Sequence, residues 1–427
     1  MKDFNSSQYK NSRRSYIAQC TVEYFVSLLV TDAFLAKLLS NIGISDSLVG
    51  IISSFITLAF VIQLMSIFLV RIKTSTKKLV MIFDTVSIFF FMLLYLVPFM
   101  PISKTHKTVV VIISILLAYL GKYLILSLCF KWANSYVDPS KRASYSAVKE
   151  MISLFLGMIF TAIIGYIIDK FESVNNMNGA FLFIATAMLI LNISNFICLA
   201  LIKKDEASQH DGDHATIKVI LQNTVGNKNF RTVIVLTVLW DVARYFTIGF
   251  LGIFKTKDLM LSVFAIQLIN IVANFARMAV SKPFGRYSDK YSYAKGFKLA
   301  LYLAGGAFFV NMFTTKSTWF LIVIYTVLFN CSIAGTNQNS FNISYSYVDS
   351  KYITQAMAIK NCIGGLFGFA ASVLGGKILD AVQANNNTVF GVHIYGQQIL
   401  SAISLCIIII AIIYISKVIE KQKIMVQ

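Results

Sequence analysis

Ionisable side chains stand inside several of the longest apolar runs of this 427-residue chain. A charge inside a bilayer is costly, so each one marks a candidate functional position. The first run holds Glu23, Asp32 and Lys37, the fourth holds Lys122 and Lys131, and the seventh holds Asp241 and Arg244. The tenth has no central charge but reads FNCSIAGTNQNSFNISYSY, with Asn337 and Gln338 near its middle. These residue types suit the handling of protons and small polar solutes. Carboxylates take up and release protons, ammonium groups hold anions, and amides bond hydroxyls, carbonyls and other amides.

Spacing sorts them. Asp241 and Arg244 are three apart and share a helix face, so they can pair, either permanently or with exchange of partners. Glu23 and Asp32 are nine apart, which at about 100° per residue puts them on opposite faces. Glu23 is the better proton carrier, and Asp32 sits nearer the far end as an interfacial residue. Lys122 and Lys131 are also nine apart. One can hold an anionic group while the other pairs or snorkels, and Lys131 is placed as the snorkelling one. Asn337 and Gln338 read either as solute ligands or as helix–helix hydrogen bonds. Lys149 and Glu150, at the start of the fifth run, read as interfacial.

Other chemistries find no support. The six cysteines, Cys20, Cys129, Cys198, Cys331, Cys362 and Cys406, all fall in apolar runs without a CxxC pair and read as packing residues. The four histidines lie in expected loops or at span edges, and there is no P-loop or HExxH sequence. No metal, cofactor or enzymatic centre is expected.

The elements that must position these residues are membrane helices. The chain is 57% hydrophobic and 13% charged, more apolar than a soluble surface tolerates. Runs such as LVMIFDTVSIFFFMLLYLVPF approach the ~20 residues that cross a bilayer as a helix. Twelve spans are expected, at about 16–39, 47–70, 79–99, 109–137, 143–168, 179–202, 230–256, 259–281, 296–315, 317–346, 353–379 and 394–416. A polar segment precedes the first, and no small-residue cleavage site follows it, so it reads as a retained helix and not a signal peptide. Lysine and arginine alternate strongly between sides. Lys104, Lys107, Lys170, Lys255, Lys257 and Lys316 are all that one side carries, which places both termini on the cytoplasmic side. That bias accounts for the net charge of +19. The basic residues are scattered over short loops, so nucleic acid is not the expected partner. A small-molecule solute, protons and the lipid bilayer are, for a chain expected to be monomeric.

The chain also repeats itself. SYVD occurs at Ser135–Asp138 and at Ser346–Asp349. In the same register Ala147, Lys149, Ile152, Gly157, Gly165, Ile167 and Asp169 match Ala358, Lys360, Ile363, Gly368, Gly376, Ile378 and Asp380. A duplication explains this, and because the shift is six spans the two copies stand the same way up. The glycine pairs are eight apart, near one helix side, where they favour close packing. Asp138 and Asp349 are expected to shape loops or to pair with basic neighbours such as Arg142. The expected organisation is an N-terminal six-helix half over 1–202, a cytoplasmic linker over 203–229, a C-terminal half over 230–416 and a tail over 417–427. The linker contains the longest polar stretch, KKDEASQHDGDHATIKVILQNTVGNK, in which IKVILQ can form a short amphipathic helix.

Twelve spans in two parallel six-helix halves joined by a central linker resemble the major facilitator superfamily. GRYSDKYSYAK resembles that family's Gly-x-Leu-Ala-Asp-Arg-x-Gly-Arg-Arg loop, with Gly285, Asp289 and Lys290 on its glycine, acid and base and Lys295 at its basic end. Ser292 replaces the second glycine, and in the corresponding earlier loop Ser66 and Val70 replace glycine and aspartate, leaving Arg71. The segment VDPSKRASYSAVKEMISLFLGMIF resembles the loop and fifth span of uncharacterised bacterial members. The resemblance implies an all-α polytopic fold in which the first, fourth, seventh and tenth spans line a central cavity, so the polar spans coincide with its walls. It implies a cytoplasmic gate at Asp289 and Lys290, with Arg277, Lys360 and nearby helix ends as partners for Asp289.

The expected function is secondary transport of a small solute by alternating access around a midplane site, in the cell membrane. Carboxylates and lysines favour protons over sodium as the coupling ion. The 35 phenylalanines and 20 tyrosines also fit efflux of hydrophobic compounds, so direction stays open. A transport-inactive sensor or assembly partner derived from a transporter is the alternative, and the degraded first loop fits it.

Overall fold

The computed structural model describes residues 6–69, 75–138, 142–203, 221–349, 352–389 and 391–422. The side chains of 65–69, 127, 130–131, 134, 142–144, 147, 354 and 389 fall outside that description. The sequence-level readings on Ser66, Val70, Arg71, the Lys131 and Arg142 side chains and most of the linker lie there too.

The described chain is almost wholly helical. In order, α1 is Ser7–Leu29, α2 Asp32–Ile42, α3 Asp46–Ser53, α4 Ile56–Leu69, α5 Thr76–Leu96, α6 Lys104–Asn134 and α7 Arg142–Ser173. Then come α8 Met177–Leu201, α9 Lys228–Tyr245, α10 Val263–Lys290, α11 Tyr293–Asn311, α12 Leu321–Tyr345, α13 Ile353–Ala384 and α14 Gly396–Lys417. Thr388–Val389 and Val392–His393 add one small antiparallel ribbon.

Among the described residues ten segments are long and apolar enough to cross a membrane, and α1 with α2 makes an eleventh if their 43° bend is one broken span. By that measure the expected twelve is reached only in part. The ninth expected span does form, as α11, but Lys295 and Lys298 occupy its first turns and leave it outside the ten. The first span breaks because Thr31 leaves helical geometry at φ −135° and ψ 167°, while its hydroxyl donates to the Ser27 and Leu28 carbonyls at 3.1 and 3.2 Å. Asp32 follows at φ 48° and opens α2, where its carboxylate meets a positive helix end. Glu23 and Asp32 therefore stand on two helices, not on opposite faces of one continuous helix.

By contacts the chain divides into two compact units. Unit 1 is Met1–Ile44, Met65–Asp213 and Ser262–Gln267, and unit 2 is Ser45–Leu64, His214–Leu261 and Leu268–Gln427. Tyr16, Val80, Ile125, Trp132 and Leu199 are buried together in unit 1, and Phe230, Trp240, Phe297, Phe308, Tyr325 and Ile408 in unit 2. Apolar side chains also face outward. On α7, Phe155, Ile159, Ile163 and Tyr166 form an exposed stripe at helical spacing, as a lipid-facing surface requires.

The repeat has a physical use. In unit 1 the Arg13 guanidinium donates to the Tyr136 carbonyl at 2.9 Å, and in unit 2 the Asn227 amide donates to the Tyr347 carbonyl at 2.7 Å. Tyr136, Val137, Tyr347 and Val348 are all buried. Each SYVD copy thus ties the end of its helix to residues at the start of that repeat's first helix. The repeated glycines are close approaches as expected. A Cβ on Gly157 would lie 2.8 Å from Tyr24 Cδ1, and one on Gly368 2.6 Å from Tyr245 Cδ2. Gly165 meets the Phe264 backbone in unit 1, and Gly376 meets Ile51 in unit 2. Asp169 closes the same junction by accepting from the Val263 and Phe264 amides at 3.0 Å each, which satisfies free N–H groups at the start of α10.

Candidate functional site

Unit 1 encloses a cavity of about 200 Å³. Helix α1 sends Gln19 and Glu23 to it from one face, because four residues separate them. Asp84 comes from α5, Lys122 from α6 and Lys149 from α7. Lys122 Nζ lies 2.9 Å from Glu23 Oε1, with side-chain exposures of 21% and 22%. Gln19 Nε2 lies 3.3 Å from Glu23 Oε2, 3.3 Å from Asp84 Oδ2 and 3.1 Å from Asn195 Oδ1. The Asn195 amide on α8 completes the set by donating to Asp84 Oδ2 at 2.7 Å. Asp84 is 2% exposed and Asn195 fully buried.

Two layers result. At the buried end of the cavity, Asp84 accepts two amide donors, which stabilises a carboxylate removed from water. At the wall, the Glu23–Lys122 pair holds its charges against each other while staying partly accessible. Cys20, Cys129 and Tyr16 line the same space, and the Lys149 ammonium lies 5.2 Å from the centre of the Tyr16 ring.

Unit 2 places its polar groups differently. Asp241 on α9 rests against Gly364 of α13, where a Cβ would collide with its Oδ2. One turn away Lys360 is 1% exposed, and its ammonium donates to the Ser340 and Ser344 hydroxyls at 2.7 and 3.3 Å. Among the described residues Asp241 and Arg244 form no ion pair, which corrects the expected pairing. The Arg244 guanidinium lies 5.1 Å from the Tyr245 ring centre, and its buried Nε has no hydrogen-bond acceptor. Gly157 meets Tyr24 and its repeat partner Gly368 meets Tyr245, so the preceding residues, Glu23 and Arg244, occupy equivalent positions with opposite charge.

The structure therefore brings Glu23 and Lys122 together and leaves the other expected residues apart from them. Asp32 lies at the α1–α2 bend, and Lys131 follows Lys122 on α6 with its side chain outside the described residues. Asn337 and Gln338 are exposed on α12, with Gln338 Nε2 against Gly285. Gly285, Asp289 and Lys290 continue α10 as helix, not loop, and Asp289 is exposed without an ion pair among the described residues. Lys360 is no partner for Asp289, being held by serines. Lys37 pairs instead with Glu172.

Several wall residues differ from the sequence reading or escape it. Lys149, taken as interfacial, sits two turns inside α7 and reaches the cavity. Asp84 is a further wall acid, and as a single acid inside VMIFDTVSIFFF it carries the same signal in the sequence as the others. Cys20 and Cys129 also line the cavity. Gln19 and Asn195 carry no charge, and nothing in the sequence sets them apart from other amides.

The sequence matches the family model for the Major Facilitator Superfamily over residues 16–372. No curated protein matches it at the sequence level. Among solved structures, a mutant of the nucleoside transporter NupG superposes with a TM-score of 0.74 at 12% identity, covering 95% of this chain and 99% of that one. An auto-inhibited peptide transporter of the POT family gives 0.71 at 9% identity, covering 98% of each chain. A D-xylose–proton symporter gives 0.68 at 13% identity, covering 95% and 97%. At these identities the likeness is one of fold.

Proposed function

The chain belongs to the Major Facilitator Superfamily and is a multi-pass secondary transporter, and we propose that it moves a small solute across the cell membrane by alternating access with proton coupling. The observation that carries the coupling is the Glu23–Lys122 pair on the wall of the unit 1 cavity. Solute or proton binding that separates the two charges frees Glu23 to change its protonation, and re-pairing resets it. Asp84, Gln19 and Asn195 hold Glu23 in place from behind. Six-helix halves over 1–202 and 230–416, with both termini in the cytoplasm, supply the moving bodies in this reading, and Gly285, Asp289 and Lys290 supply a cytoplasmic gate. Asp241 and Arg244 serve the pathway as separate charges. Asn337, Gln338, Asp32 and Lys131 remain pathway positions of second rank.

The test uses purified protein in proteoliposomes, with a solute found by thermal-shift screening, since a ligand stabilises the fold it binds. A pH gradient should drive accumulation by the wild type. Glu23→Gln should lose accumulation yet still exchange labelled for unlabelled solute. Unchanged gradient-driven uptake in Glu23→Gln would remove Glu23 from the coupling step, and absence of flux for every solute that binds would point to a sensor.

A further inference from the structure

Arg244 stands midway along the apolar segment Lys228–Asp258, where a lone charge is costly. Among the described residues it has no ion pair, and its buried Nε has no acceptor. The Tyr245 ring centre lies 5.1 Å from it, a cation–π contact that leaves its N–H donors unused. The duplication accounts for the missing partner. In unit 1 the equivalent charge, Glu23, meets Lys122, thirteen residues ahead of the first SYVD on α6. Thirteen residues ahead of the second SYVD, on α12, stands Ile333, so the partner's place is apolar. The neighbouring charges do not replace it. Asp241, three residues before Arg244, rests against Gly364, one turn from Lys360. Lys360 is 1% exposed and donates to the Ser340 and Ser344 hydroxyls, which satisfy its N–H groups but not its charge. The other acids within α9 to α14, Asp289 and Asp380, stand toward helix ends. One carboxylate thus serves two cations, and one positive charge is left over.

We propose that Arg244 binds a carboxylate or phosphate group of the solute, so that the cargo is an organic anion. A guanidinium presents paired N–H donors whose spacing matches two oxygens of either group. A partner of opposite charge also offsets the cost of carrying the cation inside the membrane. This rests on the transporter reading and specifies its cargo.

The full-length protein in lipid nanodiscs is treated with phenylglyoxal, which modifies guanidinium groups, and each arginine is followed by peptide mass spectrometry. Lactate and glycerol 3-phosphate are the carboxylate and phosphate probes, titrated through the millimolar range. Glycerol, 3-aminopropanol and β-alanine are the neutral, cationic and zwitterionic controls of the same chain length. An anion at ten times its Kd should slow modification of Arg244 about tenfold by mass action. It should leave exposed Arg286 unaffected, and the controls should do little. Whichever anion protects at the lower concentration tells carboxylate from phosphate. The protecting anion should also raise the thermal midpoint of the wild type, by less in Arg244→Lys and not at all in Arg244→Gln. Failure of both anions to protect Arg244 overturns the proposal. So does equal protection by any control, or anion-induced stabilisation that survives Arg244→Gln. Should Arg244→Gln fail to fold, the wild-type comparison of the five probes decides alone. Counterflow of the radiolabelled probes in proteoliposomes separates the two levels. Protection of Arg244 without anion flux retains the site and removes the transport role, whereas flux of a neutral or cationic probe without protection removes the anionic cargo and retains the transporter.

Discussion

Glu23 and Lys122 were legible as candidates because a charge in an apolar run is conspicuous, but their partnership was not. They are 99 positions apart, on α1 and α6, and helical spacing relates only residues on one element. The same limit hid the roles of Gln19 and Asn195. The pair makes a double-mutant prediction. Lys122→Met leaves Glu23 uncompensated and should cost about 2 kcal/mol, less than for a fully buried pair because both groups are about one-fifth exposed. Adding Glu23→Gln should restore most of it, read as recovery of the thermal midpoint. Two independent losses would mean the charges do not interact. Asp84 gives a second contrast. Asp84→Asn keeps an oxygen to accept from Gln19 and Asn195 and should hold its midpoint, while Asp84→Leu strands both donors at about 1–3 kcal/mol. Equal stability of the two variants would show that the network is dispensable to folding.

Helices were the most readable level. Apolar length, charge alternation and the repeated glycines found nearly every element, since each is a local or periodic property. The breaks were not readable. Thr31 and Ser54 interrupt the first and second spans without proline or glycine at the break, through hydroxyls that bond back to carbonyls of the preceding turn. Glycines separate packing from mere presence. Gly157→Ala pushes a Cβ to 2.8 Å from Tyr24 Cδ1 and 3.2 Å from Leu28 Cδ1, and should destabilise by about 1–3 kcal/mol. Gly306→Ala on α11 meets only Leu328 Cδ1 at 3.8 Å, and should stabilise by up to about 1 kcal/mol through helix propensity. Thermal unfolding of the two variants side by side checks the sign of each, and a stable Gly157→Ala would mean that α1 can move aside.

At the scale of the molecule the duplication and the central linker were written in the sequence, but membership of the compact units was not. Ser45–Leu64 precedes the linker by more than a hundred residues, yet its contacts group it with unit 2. Asp46 there accepts both a two-pronged bond from Lys257 at 2.8 and 2.9 Å and one from Gln383 at 2.8 Å. Gly50 receives the Phe250 ring, and the Ser372 hydroxyl donates to Ser54 Oγ at 2.8 Å. Side-to-side neighbours of this kind leave no periodicity to read. Alternating access between sequence halves requires that this seam, which joins a segment of the first half to helices of the second, part during the cycle. The Ser54–Ser372 contact is close enough for a disulfide, so Ser54→Cys/Ser372→Cys should cross-link with copper phenanthroline. Solute flux in proteoliposomes should then stop and return with dithiothreitol, while oxidised wild type, with its native cysteines, keeps its flux. Complete cross-linking, measured by peptide mass spectrometry, with flux undiminished would show that the end of α3 and α13 travel together. The motion would then have to be placed elsewhere in the chain.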